Sequence, residues 1–204
     1  MSVQLHRGDL PRDWVPGPSL AIDTETLGLN PHRDRLCVVQ ICRGDGNADV
    51  VQIPKGAPAP PNLTRILADR TVEKLFHFGR FDIAVLYRHT GVMAGPVYCT
   101  KIASKLARTY TDRHGLKDLV RELLGFEISK QQQSSDWGAE NLSQAQLDYA
   151  ASDVLHLHAL RDKLNHMLER EGRAEIAREC FAFLPTRARL DLLGWAETDI
   201  FAHA

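Results

Sequence analysis

The chain has 204 residues, of which 44% are hydrophobic, so it can bury one substantial core and a single domain is the default expectation. Its 25 basic and 26 acidic residues nearly cancel, which excludes a general positive field; a nucleic-acid partner would need a local patch or metal ions. Four cysteines occur without a CxxC pair, which disfavours a zinc site or a disulfide framework and favours buried free thiols.

The N-terminal stretch MSVQLHRGDLPRDW lacks the apolar run of a signal peptide, and no apolar run in the sequence is long enough to cross a bilayer. We therefore expect a cytoplasmic protein with no membrane partner.

The first half of the chain predicts a sheet. Apolar or β-branched runs at 19–24, 36–42 and 49–53 are typical of strands, and GDGN at 44–47 is a good hairpin turn. Three antiparallel strands follow from this pattern. A further strand is predicted at 72–77.

Two helices are predicted around that later strand. An Asn cap opens the first at 62–69. The second spans 79–89 and stops at Gly91, which places Asp82 in its first turn, near the end of a strand.

The second half predicts helices at 101–110, at 116–124 and at 144–171, the last two closed by glycines. Ser143 and Gln146 form a capping box at the start of the longest one. A mixed sheet followed by helices indicates an α/β or α+β domain.

Five polar residues fall into three short blocks. Asp23 and Glu25 end the first predicted strand two residues apart, so an extended backbone directs both side chains to one face, about 6–7 Å apart. Tyr149 and Asp153 are four residues apart on the capped helix, so they lie on the same helix face, one turn apart. Asp82 completes the set.

Taken singly, each of these residues has an ordinary explanation as a turn residue, a cap, a helix-dipole partner or a helix-surface hydrogen bond. Taken together, clustered carboxylates repel one another unless cations neutralise them. Magnesium or manganese suits such an oxygen-rich set, and two such ions can stabilise the attacking and leaving oxygens at phosphorus. The predicted ligands of two divalent cations are Asp23, Glu25, Asp82 and Asp153.

The three blocks read LAIDTETLGL, LFHFGRFDIAVL and LDYAASDVLHL. In this order they resemble the exonuclease motifs of the ribonuclease D branch of the DEDD-type 3′–5′ exonucleases, in which Tyr precedes the last Asp. GLKDLVRELLG and KQQQSSDW are also similar to that family, and the resemblance covers about residues 20–160. One departure is Phe78, where the family more often has a small or amide residue.

The resemblance implies an α/β, RNase H-like exonuclease fold, with a mixed sheet flanked by helices, and an enzyme that removes 5′-mononucleotides from a free 3′ end. It implies that Asp23 bridges two metals and that Glu25 and Asp153 hold the metal that binds the attacking water. Asp82 would support the leaving-group metal, and Tyr149 would orient or help to activate the water.

Candidate substrate contacts flank these motifs. Leu27 is expected to wedge or stack against terminal bases, whereas Phe81 is equally compatible with a core position. The polar, basic segment before the catalytic helix can bind phosphate through charge-assisted hydrogen bonds, with a solvated loop as the alternative. The predicted contacts are Thr24, Leu27, His77, Phe81, Lys130, Gln133, Ser134 and Ser135.

Two further patterns concern basic and imidazole side chains. Lys101, Lys105 and Arg108 repeat at helical spacing and predict one basic helix face, which is most often solvated surface. His156 and His158 are expected to be ordinary helix residues rather than catalysts.

Longer ribonuclease D members carry helical domains after the catalytic one, whereas only 173–204 follow the longest predicted helix here. We therefore expect one exonuclease domain over 1–204. The ending LDLLGWAETDIFAH resembles the compact nano-RNase C subgroup, which cleaves very short oligoribonucleotides, notably dinucleotides. This apolar tail is expected to pack on the domain or at a subunit interface, and the subgroup implies a ring-like homo-oligomer, an octamer.

The predicted partner is thus short single-stranded RNA, or DNA, with a free 3′ hydroxyl. Alternatives are a general ribonuclease D-like enzyme that trims longer or structured RNA, a DNA exonuclease that proofreads beside a polymerase, and a non-catalytic nucleic-acid-binding module. The intact set of four carboxylates and one tyrosine disfavours the last of these.

Overall fold

The computed structural model describes residues 2–129 and 131–203. Its centre is a mixed six-stranded sheet with the spatial order β1-β4-β3-β2-β5-β6. The strands are β1 (Val3–Arg7), β2 (Ser19–Thr26), β3 (Leu36–Cys42), β4 (Ala48–Gln52), β5 (Glu73–Phe76) and β6 (Val97–Cys99).

The antiparallel part of the sheet agrees with the sequence prediction, since β3 pairs antiparallel with both β2 and β4. The strands β1 and β6 were not predicted. Both are short and both join the sheet by parallel pairing, β1 with β4 and β6 with β5. Parallel partners are distant in sequence, so no local turn signal announces them.

Helices cover both faces of the sheet. They are α1 (Pro61–Ala68), α2 (Arg80–Thr90), α3 (Thr100–Ala107), α4 (Leu116–Leu119), α5 (Gln144–Leu155), α6 (Leu157–Arg170) and α7 (Ala174–Leu190). Two π-helical turns follow α4 and α7, at Val120–Leu124 and Asp191–Trp195. The fold class is therefore α/β, as predicted.

The predicted long helix is two helices, and that prediction was wrong in this respect. The chain bends at His156, whose φ of −100° and ψ of −7° interrupt the helix between α5 and α6. The His156 ring stacks on Phe126 with 5.6 Å between ring centroids. The hydrophobic period of the sequence continues through the bend, so no local sequence signal marks it. The bend is therefore set by tertiary packing.

The tail beyond Gly172 begins with a helix that the sequence analysis did not predict. Helix α7 buries Phe181, Leu184 and Ala188 against the main core. Pro185 lies inside this helix, and an internal proline weakens the local helical signal. The tail after α7 leaves Leu193 and Phe201 64% and 77% exposed.

The predicted basic helix face was wrong in one member. Helix α3 ends at Ala107, and Arg108 follows it with only 1% of its surface exposed. The Arg108 guanidinium donates to the Arg113 carbonyl at 2.8 Å and pairs with Glu122. A buried guanidinium must be paired, so this arginine holds the following loop in place.

Helix α5 is attached to the face of the sheet that carries the acidic end of β2. Cys37, Val38 and Val50 on that face pack with Trp137 and Ala150 in a small separate core. Within the part of the chain that the structure describes, no helix is long and apolar enough to cross a membrane. The cysteines there are free thiols, as predicted; Cys37, Cys42 and Cys99 are also buried as predicted, whereas Cys180 is only partly buried.

The start of α5 yields a stability prediction. Ser143 Oγ accepts a hydrogen bond from Gln146 N at 3.2 Å, and Gln146 Oε1 accepts one from Ser143 N at 2.9 Å. Ser143→Ala removes the first of these bonds and should lower the free energy of unfolding by about 1 kcal/mol in urea denaturation. The control is Ser134→Ala, at an exposed serine, which should change the free energy of unfolding little. Equal losses of unfolding free energy in the two variants would contradict the capping role of Ser143.

Candidate active site

Strand β2 lies inside the sheet and carries the first two carboxylates in its C-terminal half. Asp23 and Glu25 are two apart on β2, opposite Gln40 and Val38 of β3, so both side chains lie on the face that α5 covers. Gln40 is fully buried and its Nε2 donates to Asp23 Oδ2 at 3.1 Å. This hydrogen bond fixes the orientation of the Asp23 carboxylate.

Helix α5 brings the third carboxylate to the same place. One carboxylate oxygen from each of Asp23, Glu25 and Asp153 lies within 4.8 Å of the other two. Tyr149, one turn before Asp153, packs on the small core beside Trp137, with 5.9 Å between the ring centroids. The packing of Tyr149 on Trp137 therefore sets the distance between helix α5 and the sheet.

The fourth carboxylate comes from the first turn of α2. Asp82 is 4% exposed, and its Oδ1 accepts a hydrogen bond from Thr24 Oγ1 at 2.6 Å. It lies outside the group of three, but its charge acts on Asp23. Thr24 points to the opposite face from its neighbours on β2 and thereby links strand and helix.

All four carboxylates and Tyr149 line one cleft of about 560 Å³. The lining of the cleft combines acidic and hydroxyl groups with apolar and basic ones. The other lining residues are Thr24, Thr26, Leu29, His77, Phe78, Phe81, Lys101, Gly115, Leu116, Lys117, Ile128, Ser129 and Gln133.

Burial and mutual repulsion shift the carboxyl groups toward their protonated forms. Desolvation is the main cause for Asp23, Glu25 and Asp82: it raises the pKa of Asp23 well above its ordinary value, that of Glu25 to about 9 and that of Asp82 to about 7. For Asp23 and Glu25 the charges of neighbouring carboxylates add to the effect. Such a cluster gains stability from any cation that binds it, and its oxygen donors suit a hard divalent ion.

The pKa of Tyr149 is also raised by burial and by neighbouring carboxylates. Burial, then the charges of Asp153 and Glu25, raise the pKa of its phenol above the ordinary value, and the hydroxyl is hydrogen-bonded to Asp153. The hydroxyl is thus held beside a carboxylate of the three-residue group.

The predicted substrate contacts separate into three sets. Thr24, His77, Phe81 and Gln133 line the cleft. The His77 Nδ1 atom lies 2.9 Å from Thr100 Oγ1, which orients the ring. Lys130 lies outside the described residues.

Leu27, Ser134 and Ser135 are absent from the described residues that line the cleft. Leu27 lies beside Gly138, where an added Cβ would come within 2.6 Å of Leu27 Cδ2. Leu29, which is 86% exposed, lines the cleft instead. The contact roles of all these residues remain predictions.

The sequence analysis missed several lining residues. Phe78 was noted only as a departure from the family, and Lys101 only as part of a basic stripe, yet both line the cleft. The Lys101 Nζ lies 4.3 Å from the centroid of the Phe78 ring. Lys117 and Ser129 come from loops and short elements, where residue spacing carries no signal. His156 and His158 are absent from the described residues of the lining.

Three comparisons relate this chain to known proteins. A family model described as 3′–5′ exonuclease matches residues 12–169. Ribonuclease D of Granulibacter bethesdensis is 38% identical over 181 residues, which cover 85% of this chain and 44% of the relative. The chain spans less than half the length of the first curated relatives that it matches.

Solved structures give a match over the full length. Brucella melitensis NrnC with bound Mg²⁺ is 63% identical, with a TM-score of 0.96 and coverage of 100% of both chains. Brucella melitensis NrnC bound to pGG is 64% identical, with a TM-score of 0.97 and the same coverage.

The chain therefore belongs to the 3′–5′ exonuclease family. The fold is RNase H-like, as the sequence resemblance implied. Within the family, the chain is similar to the ribonuclease D-like proteins of the nano-RNase C type.

The carboxylate cluster yields a prediction about stability. Asp153→Asn removes one negative charge from the cluster, so without divalent cations its thermal midpoint should equal or exceed that of the parent. Magnesium should stabilise the parent by about 2.7 kcal/mol at a free concentration one hundred times Kd, and should stabilise the variant much less.

Thermal denaturation in EDTA and in Mg²⁺ checks this prediction. The matched control is Asp148→Asn, an exposed carboxylate on the same helix, which should keep the full stabilisation by magnesium. A variant that gains as much from magnesium as the parent would exclude Asp153 as a ligand.

Proposed function

We propose that this protein is a metal-dependent 3′–5′ exoribonuclease that releases 5′-mononucleotides from short oligoribonucleotides, notably dinucleotides, in the last step of RNA decay. The observation that carries the proposal is the meeting of four carboxylates and one tyrosine in a single cleft. Membership of the 3′–5′ exonuclease family supports the reaction. The pGG-bound relative, which aligns over the whole chain, supports a very short substrate.

The residues present fit two divalent cations, Mg²⁺ or Mn²⁺. The carboxylates of Asp23, Glu25 and Asp153, with oxygens within 4.8 Å of one another, would hold one cation, and Asp82 with Asp23 would contribute to the second site. When bound, such cations supply positive charge that stabilises the oxygens of the phosphoryl group during in-line hydrolysis. The Brucella melitensis relative with bound Mg²⁺ supports this choice of ion.

The protein side of the mechanism follows from the contacts of the chain itself. Gln40 holds the Asp23 carboxylate in one orientation, and Thr24 does the same for Asp82. Tyr149 is hydrogen-bonded to Asp153 and lines the cleft, so its hydroxyl can orient the attacking water beside that carboxylate. Holding these groups before substrate binds lowers the reorganisation that the reaction requires.

We also propose a homo-oligomer, with an octamer as the expected form, acting in the cytoplasm. The exposed apolar side chains of the tail support an interface between subunits. Leu193, Trp195, Ile200 and Phe201 are between 43% and 77% exposed. Such a concentration of exposed apolar residues is typical of a surface that another protein covers.

The first activity prediction concerns substrate length. A 5′-labelled RNA dinucleotide should be cleaved faster than a seven-residue or longer RNA in Mg²⁺ or Mn²⁺, and EDTA should stop both reactions. Asp23→Asn should lose nearly all cleavage of both, because it removes a metal-ligand charge at almost constant volume.

Other outcomes of the same assay identify the alternatives. Equal or faster loss of the longer RNA would indicate a general trimming enzyme of the ribonuclease D type, and preference for DNA would indicate a DNA exonuclease. Tight RNA binding with no turnover in any divalent cation would indicate a non-catalytic binding module.

The second activity prediction concerns Tyr149. Tyr149→Phe removes the hydroxyl but keeps the packing of the ring, so kcat should fall by about 10²-fold or more while KM changes little. The matched control is Tyr110→Phe, at an exposed tyrosine that is absent from the described residues of the cleft lining. Equal losses in kcat and in substrate affinity would contradict the water-orienting role.

A further inference from the structure

A cavity of about 200 Å³ lies between the loop that joins β2 to β3 and the C-terminal half of α2, and we call it the α2 cavity. None of its described lining residues belongs to the described lining of the carboxylate cleft. Cationic and imidazole side chains dominate it. Its titratable lining residues are His32, Arg33, Asp34, Arg35, Arg88 and His89.

The acidic side chain of this lining is already neutralised. Asp34 accepts hydrogen bonds from Arg33 Nε at 2.7 Å and from Arg33 Nη2 at 2.9 Å. It accepts a third from the backbone N of Asn30 at 2.9 Å. Because one guanidinium engages this carboxylate through two N–H groups, the carboxylate does not compensate the charges of Arg35 and Arg88.

The guanidinium groups of Arg35 and Arg88 bond to backbone carbonyls. Arg35 Nη1 donates to the Ile53 carbonyl at 2.8 Å, and Arg88 Nη2 donates to the His32 carbonyl at 2.8 Å. Neither group is ion-paired with a carboxylate of the described residues. These bonds hold the two cations in position without cancelling their charge. A guanidinium has five N–H donors, so Arg88 keeps donors for a further acceptor.

His89 contributes a buried polar atom to the same lining. Its Nε2 is buried and has no hydrogen-bond partner among the described residues. Burial, and then the charge of Arg35, lowers the pKa of this imidazole, so the ring is mainly neutral at pH 7. A neutral imidazole can donate from Nε2. A buried donor without an acceptor costs free energy, so this atom favours a bound acceptor in the cavity.

The dipole of α2 explains only part of this arrangement. Arg88 and His89 lie in the last turn of α2, where positive charge is favourable. The dipole provides no counter-charge for Arg35, which lies in the loop, and no partner for His89 Nε2. A ligand that is negatively charged and accepts hydrogen bonds would satisfy both groups.

The volume of the α2 cavity sets the size of this ligand. A water molecule occupies about 30 Å³ in the liquid, and pockets for drug-sized ligands begin at about 300 Å³. The cavity of about 200 Å³ lies between these limits. It therefore suits an oxyanion of the size of phosphate and is too small for a whole nucleotide.

We propose that the α2 cavity binds a small oxyanion such as inorganic phosphate through Arg35, Arg88 and His89. The two guanidinium groups supply positive charge and N–H donors, and the imidazole donates from Nε2. The site shares no described lining residue with the carboxylate cleft and takes no part in the proposed hydrolysis. Its occupant joins the loop after β2 to helix α2.

Titration calorimetry with inorganic phosphate tests the site. The titration is made in EDTA, because without divalent cations the carboxylate cleft repels anions. The parent should bind phosphate at one site per chain, and Arg88→Gln should bind it about tenfold or more weakly. Arg88 is exposed, so this variant should keep the thermal midpoint of the parent. A parent that shows no saturable binding would overturn the proposal.

The matched control is Arg7→Gln. Arg7 is also exposed and also donates to a neutral oxygen, Asn141 Oδ1, at 2.7 Å, but it is absent from the described lining of the α2 cavity. This variant should bind phosphate as tightly as the parent. Equal losses of affinity in Arg7→Gln and Arg88→Gln would indicate an adventitious ion only and would overturn the site.

His89→Phe tests the imidazole, because it keeps a ring and removes both nitrogens. Its affinity for phosphate should fall severalfold, and an unchanged affinity would overturn the role of His89. Analytical ultracentrifugation of the parent and Arg88→Gln tests a different occupant. Loss of self-association in the variant, with no phosphate binding by the parent, would overturn the proposal in favour of a carboxylate from a second copy of the chain. Neither measurement requires turnover, so both outcomes are independent of the proposed function.

Discussion

The repulsion among four carboxylates confined to one cleft is the constraint on which the other features of the molecule depend. Three of them come within 4.8 Å of one another, and burial raises the pKa of Asp23, Glu25 and Asp82. No single element could hold such charges together, since each would turn toward water. The sheet, helix α2 and helix α5 each contribute one side, and the packing of each element on the core opposes the repulsion.

The supporting contacts are therefore as informative as the carboxylates. Gln40 on the neighbouring strand and Thr24 on the same strand each hold one carboxylate through a short hydrogen bond. The Trp137 and Tyr149 pair sets the position of α5 over the sheet. Because a site that carries raised pKa values costs stability in the absence of cations, the same arrangement makes cation binding favourable.

The rest of the cleft lining has a different character. Apolar and aromatic side chains line it together with Lys101, whereas the oxygen donors of Asp23, Glu25 and Asp153 cluster at one point. The part of the cleft that suits cations is therefore chemically distinct from the part that offers apolar and basic contacts.

The features that could be predicted from the amino-acid sequence are the local ones. Period and turn signals predicted β2, β3 and β4, and the capping box marked the start of α5. Spacing of i, i+2 paired Asp23 with Glu25, and spacing of i, i+4 paired Tyr149 with Asp153. These features depend on neighbours in the chain. The parallel strands β1 and β6, the bend at His156, the burial of Arg108 and the entry of Phe78 and Leu29 into the cleft became visible only in the folded molecule. Each depends on contacts between residues distant in sequence, which no local pattern records.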